Sequence, residues 1–402
     1  MPEQRPPTIL FLTSAYKGIP FIQETKRQGC RNILVTVEKF RHEAWPAEAI
    51  DETFFMQTLQ DRQALINGVA YLMRSRPIDL IVPLDDYEVD TAANLREYFR
   101  LKGMGTTSVN YFRDKLAMRM AAREHGVAVP DFTPVFNYDD IRAFFDRVPP
   151  PYLLKPRSEA GAMGIKRINN AEELWRKLDE LGDHQHYYVL EHFVPGDVFH
   201  VDSIVWDGEA KFAISSQYGR PPLSVSHDGG VFTTRNLGRE SDEHIQLMEM
   251  NAATLKALGM WRGVTHAEFI RQHSTGKYVF LEIAARVGGA NISDLIEHAA
   301  GLNPWREWAR IELCNLRGET YQLPPARGDY AGIAICLAKQ QWPDMTPYAD
   351  PEIVYRVQKE FHAGLIVASP DASRVQALLD SYVPRFANDF LAWQPPMETG
   401  RQ

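Results

Sequence analysis

The chain has 402 residues, 45% of them hydrophobic and 24% charged, with a net charge of −8. That length predicts two or three compact units of ordinary globular composition, and the acidic balance speaks against a nucleic-acid surface, though not against a local basic groove. Cys30, Cys314 and Cys336 are too few and too widely spaced for a disulfide framework or a zinc site, which points to a reducing compartment.

The opening, MPEQRPPTILFLTSAYKG, reads as a first strand and not as a signal peptide. No stretch approaches the roughly 18 apolar residues of a membrane span, so the expected location is the cytoplasm. Strands over Thr8–Thr13, Asn32–Val37 and Ile78–Leu84 alternate with helices over Pro20–Gln28, Asp61–Arg74 and Asp86–Arg100. Continuous apolar strands separated by helices predict a parallel sheet. The first loop, Ser14-Ala15-Tyr16-Lys17-Gly18, holds one glycine, which argues against a dinucleotide fingerprint.

After Gly103 and Gly105 a helix is expected from Ser108 or Asn110 to His125, with Phe112, Leu116 and Met120 as its apolar stripe. Strands follow at Tyr152–Lys155 and Tyr187–Leu190. Val198–Trp206 alternates and turns at Asp207-Gly208 into Ala210–Ser215, a hairpin signal. Residues 216–240 read as an irregular functional loop. Beyond them come a helix over Ser241–Leu258, strands over Gly263–Ile270 and Lys277–Ile283, and a closing unit with strands at Gly332–Ala338 and Phe361–Val367 and a helix at Ala372–Tyr382.

Four ordered features carry chemistry: Arg113-Asp114-Lys115 inside the early helix; Tyr152–Pro156 entering the glycine-containing loop 157–165; Val189–Gly196; and Glu268 followed one strand later by Leu281–Gly289. In this order they resemble the ATP-grasp superfamily, most closely its L-amino acid ligase (dipeptide synthetase) branch. The resemblance implies an α/β and α+β chain: an N-terminal parallel α/β domain (1–105), a small lid subdomain with its leading helix (106–186), a central antiparallel subdomain (187–329) and a closing α+β subdomain (330–402).

It further implies a carboxylate–amine ligase working through an acyl phosphate. Lys115 and Lys155 would face the triphosphate as compact cations, and Gly161 and Gly164 would close over it with backbone N–H groups. Glu191, chiefly through its main chain, Phe193 and Val194 would frame the adenine. Asp197 stands one position before the family's usual ribose carboxylate, where this chain has Val198; the alternative for Asp197 is a turn residue. Glu268 and Glu282 would hold Mg²⁺, with Mn²⁺ as the substitute, because hard cations take oxygen donors. Ala284 stands where many members have a metal-binding Asn. Arg286 would hold the substrate carboxylate or the acyl phosphate, a structural ion pair being its alternative. Gly288 and Gly289 would let substrate approach the backbone, and Tyr218, Arg220 and His227 would face it from the 216–235 segment. His200 and Asp202 share a strand face, as cleft lining or as a structural pair. The implied partners are a small carboxylate and an amine, with no nucleic acid or membrane; association as a homodimer is compatible with all of this. A carboxylase, a purine-pathway ligase and a nucleotide-binding regulator without turnover remain as alternative readings.

The strand pattern also makes a geometric expectation. Glu268 should face Glu282 across a hairpin, with Gln272 opposite Tyr278, and Phe280 should share the face of Glu282.

Overall fold

The computed structural model describes residues 5–395; the first four residues of the expected N-terminal domain and the last seven of the closing subdomain lie outside it. The N-terminal unit comprises β1 (Thr8–Thr13), α1 (Ile19–Arg27), β2 (Arg31–Val37), β3 (Glu52–Met56), α2 (Arg62–Met73), β4 (Leu80–Pro83) and α3 (Val89–Phe99). Its sheet is parallel, ordered β3-β2-β1-β4. Ile9 and Phe11 enter one core and Leu10 and Leu12 the other, so both faces are covered and the strand reads as continuously apolar. Gly18 caps α1 at φ 78°, and a Cβ there would lie 2.7 Å from the Leu84 side chain. The single glycine of the first loop therefore serves a tight strand-to-helix turn.

The next helix is split. α4 (Thr106–Asn110) ends before α5 (Lys115–Glu124), whose cap is Asp114, accepting from the Leu116 and Ala117 N–H groups. Neither Ser108 nor Asn110 caps α5, and Met120 faces solvent. An Asp side chain competes for backbone N–H groups and sets a new N-terminus, which leaves Lys115 in the first turn.

A small antiparallel sheet follows, built from β5 (Phe132–Pro134), α6 (Tyr138–Arg147), β6 (Tyr152–Pro156), β7 (Lys166–Ile168), α7 (Ala171–Leu181) and β8 (Tyr188–His192), in strand order β5-β8-β6-β7. β8 pairs β5 and β6, so it belongs with this sheet, beyond the 186/187 boundary expected from sequence.

The rest of the chain is β9 (Gly196–Trp206), β10 (Glu209–Tyr218), α8 (Pro222–Asp228), β11 (Phe232–Asn236), α9 (Asp242–Ala257), β12 (Gly263–Gln272), β13 (Tyr278–Ala284), α10 (Ile292–Ala300), α11 (Pro304–Arg317), β14 (Tyr330–Leu337), β15 (Ile353–Arg356), β16 (His362–Ser369) and α12 (Ala372–Asp389). Its strands form one antiparallel sheet, β13-β12-β9-β10-β11-β14-β16-β15. Asp207 and Gly208, at φ 54° and 76°, make the β9–β10 turn with both central residues left-handed, as a tight hairpin requires. The 216–240 stretch is not irregular: it holds α8 and β11, and β11 joins β10 to β14. The closing strands thus extend the central sheet. Among the described residues no helix is long and apolar enough to cross a membrane.

Candidate active site

The cleft lies between the small sheet and the cleft-facing side of the large one. On β6, Tyr152 and Leu154 enter the small-sheet core, so alternation turns Leu153 and Lys155 toward the cleft. On β12, Ala267 and Phe269 enter the core beneath the large sheet, turning His266, Glu268 and Ile270 the other way.

Glu268 does face Glu282, but the register shifts immediately afterwards: Phe269 opposes Phe280 and Arg271 opposes Tyr278. The expected Gln272–Tyr278 pairing and the shared face of Phe280 and Glu282 are corrected by this bulge. Phe280 packs in the core with Phe269, their ring centroids 6.0 Å apart, while the consecutive residues Leu281 and Glu282 both line the cleft. Glu282 shares the face of its direct partner Glu268, and the one extra residue that follows turns Phe280 to the core face instead.

The resulting cavity of about 390 Å³ is bounded by Lys115, Lys155, Glu191, Glu268, Glu282 and Arg286 among others, with Phe193, Val194 and Val198 as apolar wall. Lys115 Nζ donates to the Glu159 carbonyl at 2.6 Å and lies 3.1 Å from Glu282 Oε2. Arg157 forms an ion pair with the α5 cap Asp114, so the root of the glycine loop is fastened to the helix that carries Lys115. Gly161 lines the cavity at φ 65°; Gly164, at φ 68°, is buried behind the loop and does not line it.

Lys155 Nζ donates to Glu191 Oε1 at 2.6 Å, and Arg119 holds the other oxygen at 2.7 Å. Glu191 therefore acts through its side chain, not only its main chain. Burial alone would raise its pKa, but the two cations outweigh that and hold it near 2. Phe193 N–H is engaged by the Pro151 carbonyl, and its ring lies beneath Arg167. Asp197 is turned out of the cleft. It alternates with His200 and Asp202 along β9 and pairs with Arg271 at 3.0 Å and His273 at 3.2 Å, so Gly196 and Val198 line the cavity in its place.

Behind Glu268 runs a buried polar chain. Tyr218 donates to Glu268 Oε1 at 2.8 Å, and His266 Nε2 lies 3.6 Å from the same oxygen. Asp202 accepts from His266 Nδ1 at 2.8 Å and from His200 Nδ1 at 2.6 Å, and His200 Nε2 meets Thr234 Oγ1 at 2.8 Å. Burial would lower the His266 pKa, but Asp202 overrides it and raises the ring to about 9. Burial likewise opposes ionisation of Glu268, and His266 with Tyr218 holds its pKa below the ordinary value. The two carboxylates facing each other on hard oxygen donors fit a divalent cation. His200, Asp202 and His266 also bring ligand atoms within 4.8 Å of one another, but those atoms are already hydrogen-bonded and a protonated imidazole is no ligand. His266 was legible only through its alternation with Glu268.

Arg286 donates to Asp86, in the turn that follows β4 (Nε–Oδ2 2.7 Å), and to the Val287 carbonyl. It also lines a second, larger cavity of about 740 Å³, which shares Gly161, Met163, Phe232, Gly289 and Ala290 with the first. Asp86 had one sequence signal: parallel sheets present ligand-facing groups at the carboxyl ends of their strands. Gly288 serves the polar chain more than a substrate, since a Cβ there would meet Asp202 and His266 at 3.0 Å. His227 lies on α8 outside the walls of both cavities, and Arg220 donates to the Gly229 carbonyl, bracing the same loop. Neither takes the substrate-facing position expected of it.

Residues 148–294 match the model of the ATP-grasp domain. That stretch is similar to an ATP-grasp domain. The chain is 27% identical over 270 residues to the L-arginine-specific L-amino acid ligase of Bacillus subtilis, a match covering 65% of this chain and 64% of that one. It is 24% identical over 249 residues to the alanine–anticapsin ligase of Bacillus subtilis strain 168, covering 56% and 52%. The chain thus spans between half and two thirds of these relatives. The solved L-amino acid ligase of Bacillus licheniformis superposes with a TM-score of 0.74 at 16% identity, covering 98% of this chain and all of that one. Among the proteins similar to this chain are thus two L-amino acid ligases.

Proposed function

We propose that this protein is an ATP-grasp carboxylate–amine ligase that couples amino acids or a small carboxylic acid through an acyl phosphate. The observation that carries the reading is convergence: Lys115, Lys155, Glu268, Glu282 and Arg286 come from separate elements to one cavity. In the first half-reaction a carboxylate oxygen attacks the γ-phosphorus of ATP, the bond to the bridging oxygen breaks and ADP leaves. In the second, the amine nitrogen attacks the acyl carbon, the carbon–oxygen bond to phosphate breaks, and the nitrogen gives up its proton to the departing phosphate.

Lys115 and Lys155 offset charge on the phosphates, which is electrostatic positioning. A Mg²⁺ ion held by Glu268 and Glu282 would supply further charge neutralisation there. Tyr218 and His266 hold Glu268 ionised and fixed in rotamer. Arg286 sits where the two cavities meet and orients the carboxylate. The glycine loop, fastened through Arg157 and Asp114, excludes water that would hydrolyse the acyl phosphate.

The test is an assay of ADP and phosphate over amino acids supplied singly and in pairs, with product mass. ADP release is expected to need both a carboxylate and an amine, and Lys155→Ala and Glu282→Ala to reduce it by at least about a hundredfold in folded protein. AMP and pyrophosphate as products, or substantial turnover by either variant, would overturn the reading.

A further inference from the structure

The larger cavity carries a charge pattern that ATP does not explain. Its described lining holds Lys17, Arg286 and Lys359, with His362, against one carboxylate, Asp294. In a chain of net charge −8 this reverses the background. Arg286 is neutralised by Asp86. Lys17 and Lys359 make no ion pair with a described residue. Both side chains reach solvent, but the surrounding cavity walls partly desolvate the ammonium groups and lower their pKa, Lys17 further through Arg286 and Lys359. Asp85 and Asp86 act on Lys17, and Glu43 on Lys359, only from beyond ion-pair distance; two ammonium groups without a direct ion-pair partner on one cavity make a field that an anion would satisfy.

Their placement narrows the anion. Lys17 sits in the loop after β1, held by the tight turn at Gly18, and Lys359 in the turn before β16. Around them the walls are largely apolar, with Leu84, Trp305, Leu337 and Val357, so the lysines are the polar anchors on that side. Such a site suits a short chain ending in a charged group. Resting on the ligase reading, we propose that the carboxylate substrate bears a second carboxylate, as in an acidic amino acid. Lys17 and Lys359 hold that group while Arg286 orients the one that is activated. Asp294, fixed by the Asn291 amide at 2.9 Å, faces the same space and suits the ammonium of such a substrate.

The experiment compares L-glutamate with L-glutamine and L-aspartate with L-asparagine as carboxylate substrates, with a fixed amine partner. ADP release gives kcat/KM, and calorimetry with Mg²⁺ and a non-hydrolysable ATP analogue gives binding without turnover. The acidic member of each pair is expected to be favoured at least tenfold, about what one charge-assisted hydrogen bond supplies. Lys17→Gln and Lys359→Gln should each remove most of that preference through KM, leaving the amide substrates within about twofold. Both lysines are solvent-exposed, so these variants should fold. Equal use of acids and amides, or losses equal for both, overturns the specificity while the ligase reading stands. Absence of ADP with every pair sinks the ligase reading; the calorimetric preference then decides the anion site by itself.

Discussion

At the scale of single residues, Glu191 has the most consequence for its size. It is 2% exposed and shared between Lys155 and Arg119. Its folded pKa near 2 lies below the ordinary carboxyl value of about 4.3. A depressed carboxyl contributes stability that is complete above the unfolded pKa and lost as pH falls toward the folded one, here between about pH 4.5 and 2. The linked free energy is on the order of 3 kcal/mol. Glu191→Gln keeps the shape but leaves two buried cations uncompensated, a cost of about 3–5 kcal/mol at neutral pH. Urea midpoints measured from pH 7 to pH 3 should therefore fall less steeply for the variant than for the parent. Parallel curves would show that the pair carries no such linkage. Lys155 was legible in sequence because a strand-ending Lys-Pro before a glycine loop is a local pattern. Arg119, the other cation on Glu191, was not, because an arginine within a helix carries no mark of which carboxylate, 72 positions away, it will reach.

Among the elements, the β9–β12–β13 ribbon sets the site, and its register shows where sequence reading stops. Strict alternation was enough to put Glu268 opposite Glu282, yet the bulge beside them is invisible to a period-two count. Asp197 failed for the related reason that its strand begins at Gly196, so that the parity of β9 points it outward. The β9 end of the ribbon depends on Gly196 itself. A Cβ there would lie 2.2 Å from the Arg271 carbonyl and 2.7 Å from Ile270 Cγ1. The first of these is backbone of the neighbouring strand and cannot move aside without parting the ladder. Gly196→Ala should cost about 1–3 kcal/mol and raise the KM for ATP severalfold, because Gly196 also lines the nucleotide-sized cavity. Gly68→Ala is the control: it lies inside α2 with nothing within 4 Å of the added Cβ, and should be neutral or stabilising by up to about 1 kcal/mol. Thermal melts and ATP titrations of the two variants check this; equal behaviour would mean that the close strand approach is not needed.

For the whole molecule, the site is finished by contacts between parts that sequence shows only separately. The N-terminal sheet reaches the central one through α1 against α11, where Phe21 meets Trp308 at 5.3 Å between ring centroids and Arg310 bonds Glu24 at 2.9 Å. These fix the N-terminal unit so that Asp86, after β4, meets Arg286, 200 positions later. The α/β and antiparallel patterns were legible because they are periodic. This docking was not, because its partners have no spacing relation. Asp86 does not line either cavity, so its part is to position Arg286. Asp86→Asn keeps the side-chain volume but removes the charge that holds the guanidinium. Arg286 then loses its charge-assisted fork and can rotate away from the junction of the cavities. The expected result is a rise of about tenfold in KM for the carboxylate substrate, with the KM for ATP changed by less than about twofold, since Lys115 and Lys155 are untouched. Asp86→Glu should recover part of the loss by restoring the charge one methylene further out. Arg286 as a plain structural tie between the two units would instead lower stability in Asp86→Asn and leave the carboxylate KM where it was, and steady-state kinetics beside a thermal melt separates the two outcomes.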